Sequence, residues 1–311
     1  MPHTEASGAR IHWEEQGTGE PLLLVMGFGL SSDAWAPMLP VLGGYRAIRF
    51  DNRGTGGSGP SGDGYSVEAM AADAAAVLDA AGVERAHVHG VSMGGMISLS
   101  LALDHPGRVG SLVLGCTTSS PLRAAGDGGR VAELAQATVL MSSDREAALD
   151  ALLPLILSET FLAENPAIRE LGAMLTASGS RPEDATATMR AIADMGTGRA
   201  FDVSDRLGEI RVPTLVQHGT SDALIPVEEG RRLAGDPRRG VPGARGRGPR
   251  LRDRAPRRRL RAAPRLPRGA PAVGRGVGRG TVSPAHAHPS VVSRAQKAFV
   301  PHGLPRPVGP W

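Results

Sequence analysis

His89-Gly90-Val91-Ser92-Met93-Gly94-Gly95 is the stretch whose reading decides the fold. It joins an apolar run, AHVHGVS over 86–92, to the helix-like MGGMISLSLALDHP over 93–106. A serine between Gly90 and Gly94 in this strand–turn–helix context reads as a nucleophile elbow. The glycines let the chain turn tightly enough to lift one hydroxyl above the strand end. The same turn sets the backbone N–H of Met93 at a helix N-terminus, aimed where negative charge develops on a carbonyl oxygen under attack. A glycine-rich turn with an incidental serine is the competing reading, and the flanking strand and helix count against it.

On the N-terminal side, PLLLVMG over 21–27 and YRAIRF over 45–50 read as buried strands, and GSLVLGC over 110–116 follows as another. Ser66 to Ala81 reads as a helix, with Ser66 as its cap, Glu68 complementing the dipole and Gly82 as its stop. This β–α alternation predicts a mostly parallel central sheet with helices on both faces. From Thr117 to about Asp205 the helical period runs without a strand, in VAELAQATVLM, REAALDALLPLILSETFL and ATATMRAIADMG. That predicts an inserted helical cap, whose apolar stripe Leu152, Leu153, Leu155, Ile156 and Leu157 suits either core packing or an apolar acyl group. Strand character returns at VPTLVQHG over 212–219, and a helix begins near Pro226. The expected organisation is core over 1–116, cap over 117–205, core again over 206–234 and a tail over 235–311.

Further motifs fall in a telling order. Met26-Gly27-Phe28-Gly29 follows the first buried strand, and Asp51-Asn52-Arg53-Gly54-Thr55-Gly56-Gly57-Ser58 follows the second. Gln217-His218-Gly219-Thr220-Ser221-Asp222 ends the strand after the cap. Together with the serine elbow they make residues 8–234 resemble the α/β-hydrolase superfamily, in its capped serine-hydrolase form. The resemblance implies Ser92 as nucleophile and the backbone N–H groups of Phe28 and Met93 as oxyanion donors. It implies Gly27, Gly90 and Gly94 as structural glycines, Asp222 as the triad acid, and the Asp51–Ser58 turn as structural. Members often carry His-Gly where this chain has Met26-Gly27, a departure that leaves the backbone donor intact. For Asp222 the plainer alternative is a loop aspartate favouring a turn beside Ser221. D-N-R-G-T-G and V-L-G-C-T-T look closest to 3-oxoadipate enol-lactonases and polyketide methylesterases. The implied activity is cleavage of a small ester or lactone through an acyl-enzyme, with no cofactor and no metal. A cofactor-free haloperoxidase or an acyltransferase shares the triad and is the alternative within the fold.

A serine hydroxyl needs a histidine to take its proton, and the histidine needs a carboxylate to orient it. In the family that histidine follows the acid in a Gly-His loop after one last strand, yet no histidine occurs here between His218 and His286. His3 and His12 are expected before the core, and His87, His89, His105 and His218 on strands or a helix end. His286, His288 and His302 sit in the unpatterned tail. That tail has the Arg, Pro, Gly and Ala bias of GC-rich codons read out of frame. Let each codon take the last two bases of one written codon and the first base of the next. Gly235 through Leu251 then accommodates A-I-P-G-A-E-F-L-V-L-E-G-A-G-H-D-Y, with the histidine at Pro249, and Leu260 through Ala270 accommodates F-A-R-L-L-D-F-L-A-E-L. The expectation is a frameshift near Gly235 that removes the base and impairs turnover.

The charge agrees with a break there. Residues 1–230 hold 15 Lys+Arg against 29 Asp+Glu, a balance of −14; residues 231–311 hold 20 against 2, a balance of +18. As written, the tail cannot bury enough apolar area to offset its chain entropy and is expected to be disordered. R-G-R-G and R-R-R resemble basic RNA-binding segments, but no aromatic residue interleaves the arginines between 235 and 298. Non-specific, salt-dependent binding is the reading left for it, with no specific nucleic acid as partner. The single Cys116 excludes an internal disulfide and suits a reducing compartment. The first residues lack the pattern of a signal peptide, and no apolar run reaches the roughly 18 residues a membrane span needs. The expectation is a cytoplasmic protein acting on a small molecule, with no membrane partner.

Overall fold

The computed structural model describes residues 2–6, 8–60, 64–125, 129–140, 143–176, 179, 183–184, 201–235 and 250–251. Its eight strands are β1 (His3–Ala6), β2 (Ala9–Gln16), β3 (Glu20–Val25), β4 (Tyr45–Phe50), β5 (Ala86–Val91), β6 (Val109–Gly115), β7 (Thr214–Gln217) and β8 (Arg250–Leu251). They form one sheet in the order β1-β2-β4-β3-β5-β6-β7-β8. β1 and β2 pair antiparallel with their neighbours, and every pairing from β4 to β8 is parallel. The mostly parallel sheet is as expected; the antiparallel pair at its edge corrects the placing of His3 and His12 outside the core. Both histidines lie on strands, and the alternation Ala9, Ile11, Trp13 that buries β2 against the sheet was a readable signal.

The register fixes two faces. Val25, Gly90, Leu114, Val216 and Leu251 are successive register partners across five strands, and Leu24, His89, Val113, Leu215 and Arg250 form the adjacent row on the opposite face. The first face packs into the main core with helices α1 (Val67–Ala80) and α2 (Met93–Asp104), through Val77, Leu78, Ile97, Leu99 and Leu101. The other face carries Leu22, Leu24 and Met26, covered by Trp35 and Met38 of a 3-10 segment over Ser32–Leu42. Two prolines in that segment, Pro37 and Pro40, remove the amide donors a regular α-helix would need.

Helix α1 begins as its sequence predicts: Ser66 Oγ accepts from the Ala69 N–H at 3.0 Å, and Gly82 follows the helix with φ +66°. After β4, the Asp51–Ser58 turn is tied by its own side chains. Asp51 accepts from the N–H groups of Ser32 at 2.6 Å and Gly57 at 2.8 Å, and His12 Nδ1 lies 3.1 Å away. Arg53, 1 % exposed, donates twice to Asp73 on α1, at 2.7 and 2.6 Å. The turn is a joint between sheet and helix.

Between β6 and β7 the described residues form helices and no strand: α3 (Pro121–Ala125), α4 (Gly129–Leu140), α5 (Arg145–Ile156), α6 (Glu159–Glu164) and α7 (Ile168–Leu175), then a 3-10 segment over Ser204–Glu209. They fall in the stretch where an inserted cap is expected; ATATMRAIADMG, over 185–196, lies outside the described residues. Leu149 and Leu153 of α5 close against Gly172 of α7, where an added Cβ would lie 3.3 and 3.5 Å from them. Leu153 and Leu155 are therefore cap packing, whereas Ile156 is 50 % exposed. A final helix, α8 (Val227–Leu233), follows β7 directly after Pro226. Of the tail, residues 236–249 and 252–311 lie outside the described residues, and with them Pro249, His286, His288 and His302. What is described is the two-residue strand β8, added to the edge of β7 where no strand was expected.

Candidate active site

Ser92 sits directly after β5 with φ 54° and ψ −123°, a backbone conformation that side-chain-bearing residues rarely adopt. Neighbouring contacts hold it there. Its N–H donates to the Gly115 carbonyl at 2.9 Å. Its own carbonyl accepts from the Gly95 N–H at 2.9 Å, the Met96 N–H at 3.3 Å and the Thr117 hydroxyl at 2.6 Å. The glycines around it are dictated by space. A Cβ on Gly90 would lie 2.2 Å from the Gly94 carbonyl oxygen, and one on Gly94 would lie 2.1 Å from the Val25 carbonyl oxygen. Only glycine lets β5, β3 and the start of α2 come this close.

Met93 is the first residue of α2 and is 2 % exposed. Its N–H belongs to the first helical turn, whose amides have no partner within the helix. Beside it, the loop after β3 approaches the serine: a Cβ on Gly27 would lie 3.2 Å from Ser92 Cβ and 3.8 Å from its Oγ. Phe28 is half-buried against the main core. The Met26 carbonyl accepts from Asn52 Nδ2 at 2.9 Å, which ties this loop to the joint after β4. Thus Gly27 is brought to Ser92, with Phe28 next to it in the chain.

Asp222 lies five residues past the end of β7. Because β5, β6 and β7 are parallel neighbours, with β5 and β7 two strand spacings or roughly 10 Å apart, Ser92 and the loop that carries Asp222 leave the sheet at the same edge. Asp222 Oδ1 accepts from the N–H groups of Leu224 at 3.0 Å and Ile225 at 2.8 Å, while Oδ2 lies 3.5 Å from His218 Nε2. Burial raises its carboxyl above the usual carboxylate range, opposed by those two N–H groups and by His218. Between serine and acid sits Cys116 at the end of β6, with φ 37°. Burial, and next the Asp222 charge, push its thiol up to about 12 against the lowering effect of a Ser92 backbone contact. A thiol held neutral to that degree is no nucleophile.

None of the described histidines serves Ser92 as a base. His12, on β2, is three strand spacings from β5, roughly 14 Å. His87 pairs with Glu20 at 3.0 Å and Ser111 at 2.8 Å, near the start of β5. His89 is on the face opposite the main core, packed on Trp35 with ring centroids 5.0 Å apart; burial lowers its imidazole to about 4. His105 follows the far end of α2. His218 is closest to the acid, but its Nε2 donates to the Ile225 carbonyl at 2.8 Å and its side chain is fully buried against Gly230. It braces the acid's loop. The described residues hold no His, Cys, Asp and Glu cluster suited to a metal ion, and no described helix is long and apolar enough to cross a membrane.

Comparison with known proteins agrees with this geometry. The profile of the family described as alpha/beta hydrolase fold matches residues 20–246. A RutD protein of Azorhizobium caulinodans, whose name assigns it carbamate hydrolysis, is 36% identical over 246 residues, covering 79% of this chain and 88% of its own. The solved structure of Est816, described as an N-acyl homoserine lactone degrading enzyme, is 30% identical at a TM-score of 0.63, with 81% of this chain and 90% of that one covered. The enol-lactonase of Burkholderia xenovorans superposes at the same TM-score of 0.63 with 24% identity, over 75% and 87% of the two chains, which shows the fold alone. A strained serine at the end of a parallel strand, a glycine loop beside it, an acid on the same sheet edge and these matches lead to one statement: the chain belongs to the α/β-hydrolase family.

Proposed function

We propose that this architecture is that of a serine hydrolase opening a small ester, lactone or carbamate through an acyl-enzyme. The observation that carries the reading is the strained backbone of Ser92 beside Gly27, with Asp222 on the same sheet edge. In that reading Ser92 Oγ attacks the carbonyl carbon while its proton passes to an imidazole base. The N–H groups of Met93 and Phe28 donate to the oxyanion, which collapses by expelling the leaving oxygen or nitrogen with that proton. Water then hydrolyses the acyl-serine by the same route. The hydrolase names of the RutD relative and of Est816 support carbamates and lactones as the substrate range.

In the chain as written, the base is missing among the described residues, and both half-reactions need it. Activated esters with good leaving groups bypass most of the first requirement and none of the second. The chain should therefore trap an acyl group from p-nitrophenyl butyrate on Ser92 and release it slowly. Mass spectrometry of the digested protein reads this directly. An adduct on the peptide bearing Ser92, missing from Ser92→Ala, is the expected result. A chain that takes the acyl group elsewhere, or hydrolyses the ester equally well after Ser92→Ala, sinks the reading.

A further inference from the structure

Helix α8 opens with two adjacent glutamates that the structure uses differently. Glu228 is partly exposed and pairs with Arg231 at 3.1 Å, an ordinary contact along one helix face. Glu229 is buried, 4 % exposed, although Glu228 alone already complements the helix dipole. A carboxylate withdrawn from water is costly unless its oxygens are partnered. Here they are. Oε2 accepts from the Thr118 hydroxyl at 2.6 Å and from Arg123 Nη2 at 3.0 Å, and Oε1 accepts from Arg123 Nε at 3.1 Å. Arg232 Nε lies 3.3 Å from Oε1.

Arg123 is where separate segments meet. It stands in α3, on the way out of β6, and forks onto Glu229. Its Nη1 donates to Ser204 Oγ at 2.9 Å, on the way back to β7, and its Nη2 donates to Ser119 Oγ at 3.0 Å. The two connections also bond directly, the Val203 N–H donating to the Ser119 carbonyl at 3.0 Å. Both ends of the helical stretch between β6 and β7 are thus fastened to α8 at one guanidinium. Each segment has its own root. Thr117, beside Thr118, holds the Ser92 carbonyl, and Phe201, Val203 and Leu207 lie in the main core. Gly230, beside Glu229, admits His218, which braces the acid's loop; a Cβ on Gly230 would lie 2.7 Å from His218 Cβ.

The stretch so fastened also touches the other side of the site. Leu171 of α7 packs on the cluster of Met26, Trp35 and Met38. Gly179 lies so close to the loop after β3 that a Cβ on it would be 2.4 Å from the Gly29 carbonyl oxygen, next to Phe28. The stretch therefore runs from Glu229, in the helix after the acid's loop, to Gly29 beside the serine. We infer that the Arg123–Glu229 pair sets where these helices stand over Ser92, and thereby how long an acyl group the site accepts. The inference rests on the hydrolase reading for the acyl group, but not for the placement of the helices. An acetyl group ends close to the serine, whereas a longer chain has to be seated against the helices above it. Arg123 and Glu229 are positioning residues that act through what they hold. Lysine at 123 would keep the charge without the planar fork that reaches Glu229, Ser119 and Ser204 together.

Amide hydrogen exchange and first-turnover acylation, both on the full chain, test this together. Glu229→Gln keeps the shape and loses the charge, Arg123→Lys keeps the charge and loses the fork, and Glu228→Gln is the control on the same helical turn. Exchange of the Val203 amide, which bonds between the two connections, should quicken about tenfold or more in both variants and stay unchanged in the control. Release of p-nitrophenol in the first turnover is followed against ester concentration. The half-saturating concentration should rise about tenfold for p-nitrophenyl hexanoate and less than about twofold for the acetate, with the limiting rates nearly unchanged. Unchanged exchange at Val203 overturns the junction, and equal changes for the two esters overturn the selection by length. If the parent takes no acyl group on Ser92 while Val203 responds as stated, the hydrolase reading falls with the acyl selection, and the junction stands. Should Glu229→Gln not fold, Ser204→Ala removes a single acceptor from Arg123 and carries the same expectation for Val203.

Discussion

The hydroxyl of Thr117 donates to the carbonyl of Ser92 at 2.6 Å, across the gap between the ends of β6 and β5. The same side chain fills the space that a Cβ on Gly95 would need, 2.5 Å away, and is fully buried. Thr117 therefore holds the serine turn from the side, independently of the two amides of α2. Thr117→Val keeps the shape and removes the donor. A buried hydrogen bond lost with its acceptor still partnered costs about 1 kcal/mol, so urea unfolding should show a loss of about that size. A loss above roughly 3 kcal/mol would mean that the hydroxyl carries more of the turn than one bond.

Strain at Ser92 makes an unusual ranking of substitutions. Replacing an ordinary residue by glycine destabilises by widening the unfolded ensemble, about 0.5–1 kcal/mol relative to alanine. At φ 54° and ψ −123° the alanine keeps a Cβ in a conformation that costs about 1–3 kcal/mol, and glycine does not. Ser92→Gly should accordingly be at least as stable as Ser92→Ala, and up to about 2 kcal/mol more so. Thermal melts of the pair decide it; Ser92→Ala melting higher would show the turn to be relaxed.

How much of this was legible in the sequence depends on which contacts are local. Tyr45–Phe50 and the Ser66-capped helix stand where the sequence puts them, because apolar runs and a cap three residues from its donor are local signals. Gly90 and Gly94 were legible as a turn, although only the packed strands show what forbids a side chain there. β1 and β2 went unread because four- and eight-residue strands rich in His, Glu and Arg resemble a polar lead-in; the pairing of β2 with β4 is a long-range fact. The placement of Cys116 between serine and acid, with φ 37°, has no sequence signal at all.

Arg53 and Asp73 show that the turn after β4 serves the scaffold. Both side chains are essentially without solvent contact, and Arg53 spends further donors on the carbonyls of Gly64 and Ala69. Burial raises the Asp73 carboxyl and the guanidinium beside it opposes the rise. Removing one partner leaves the other charge buried, a loss of about 3–5 kcal/mol. Asp73→Ala should cost that much in urea unfolding while leaving Ser92 able to take an acyl group in whatever fraction stays folded. Near-wild-type stability would mean that water reaches Arg53.

His89 gives the sheet a pH dependence whose sign follows from its burial. Its imidazole is lowered to about 4 by desolvation, against an ordinary value of 6.5. Between those values the unfolded chain binds a proton that the folded chain refuses, so stability falls as pH drops through that window and is fully retained above it. The shift corresponds to about 3 kcal/mol, and less to the extent that water reaches the ring. His89→Gln keeps a polar side chain against Trp35 but cannot titrate. Its unfolding free energy should lose most of the slope that the parent shows between pH 6.5 and 4, leaving the contribution of the acidic groups. Identical slopes in parent and variant would place His89 in solvent.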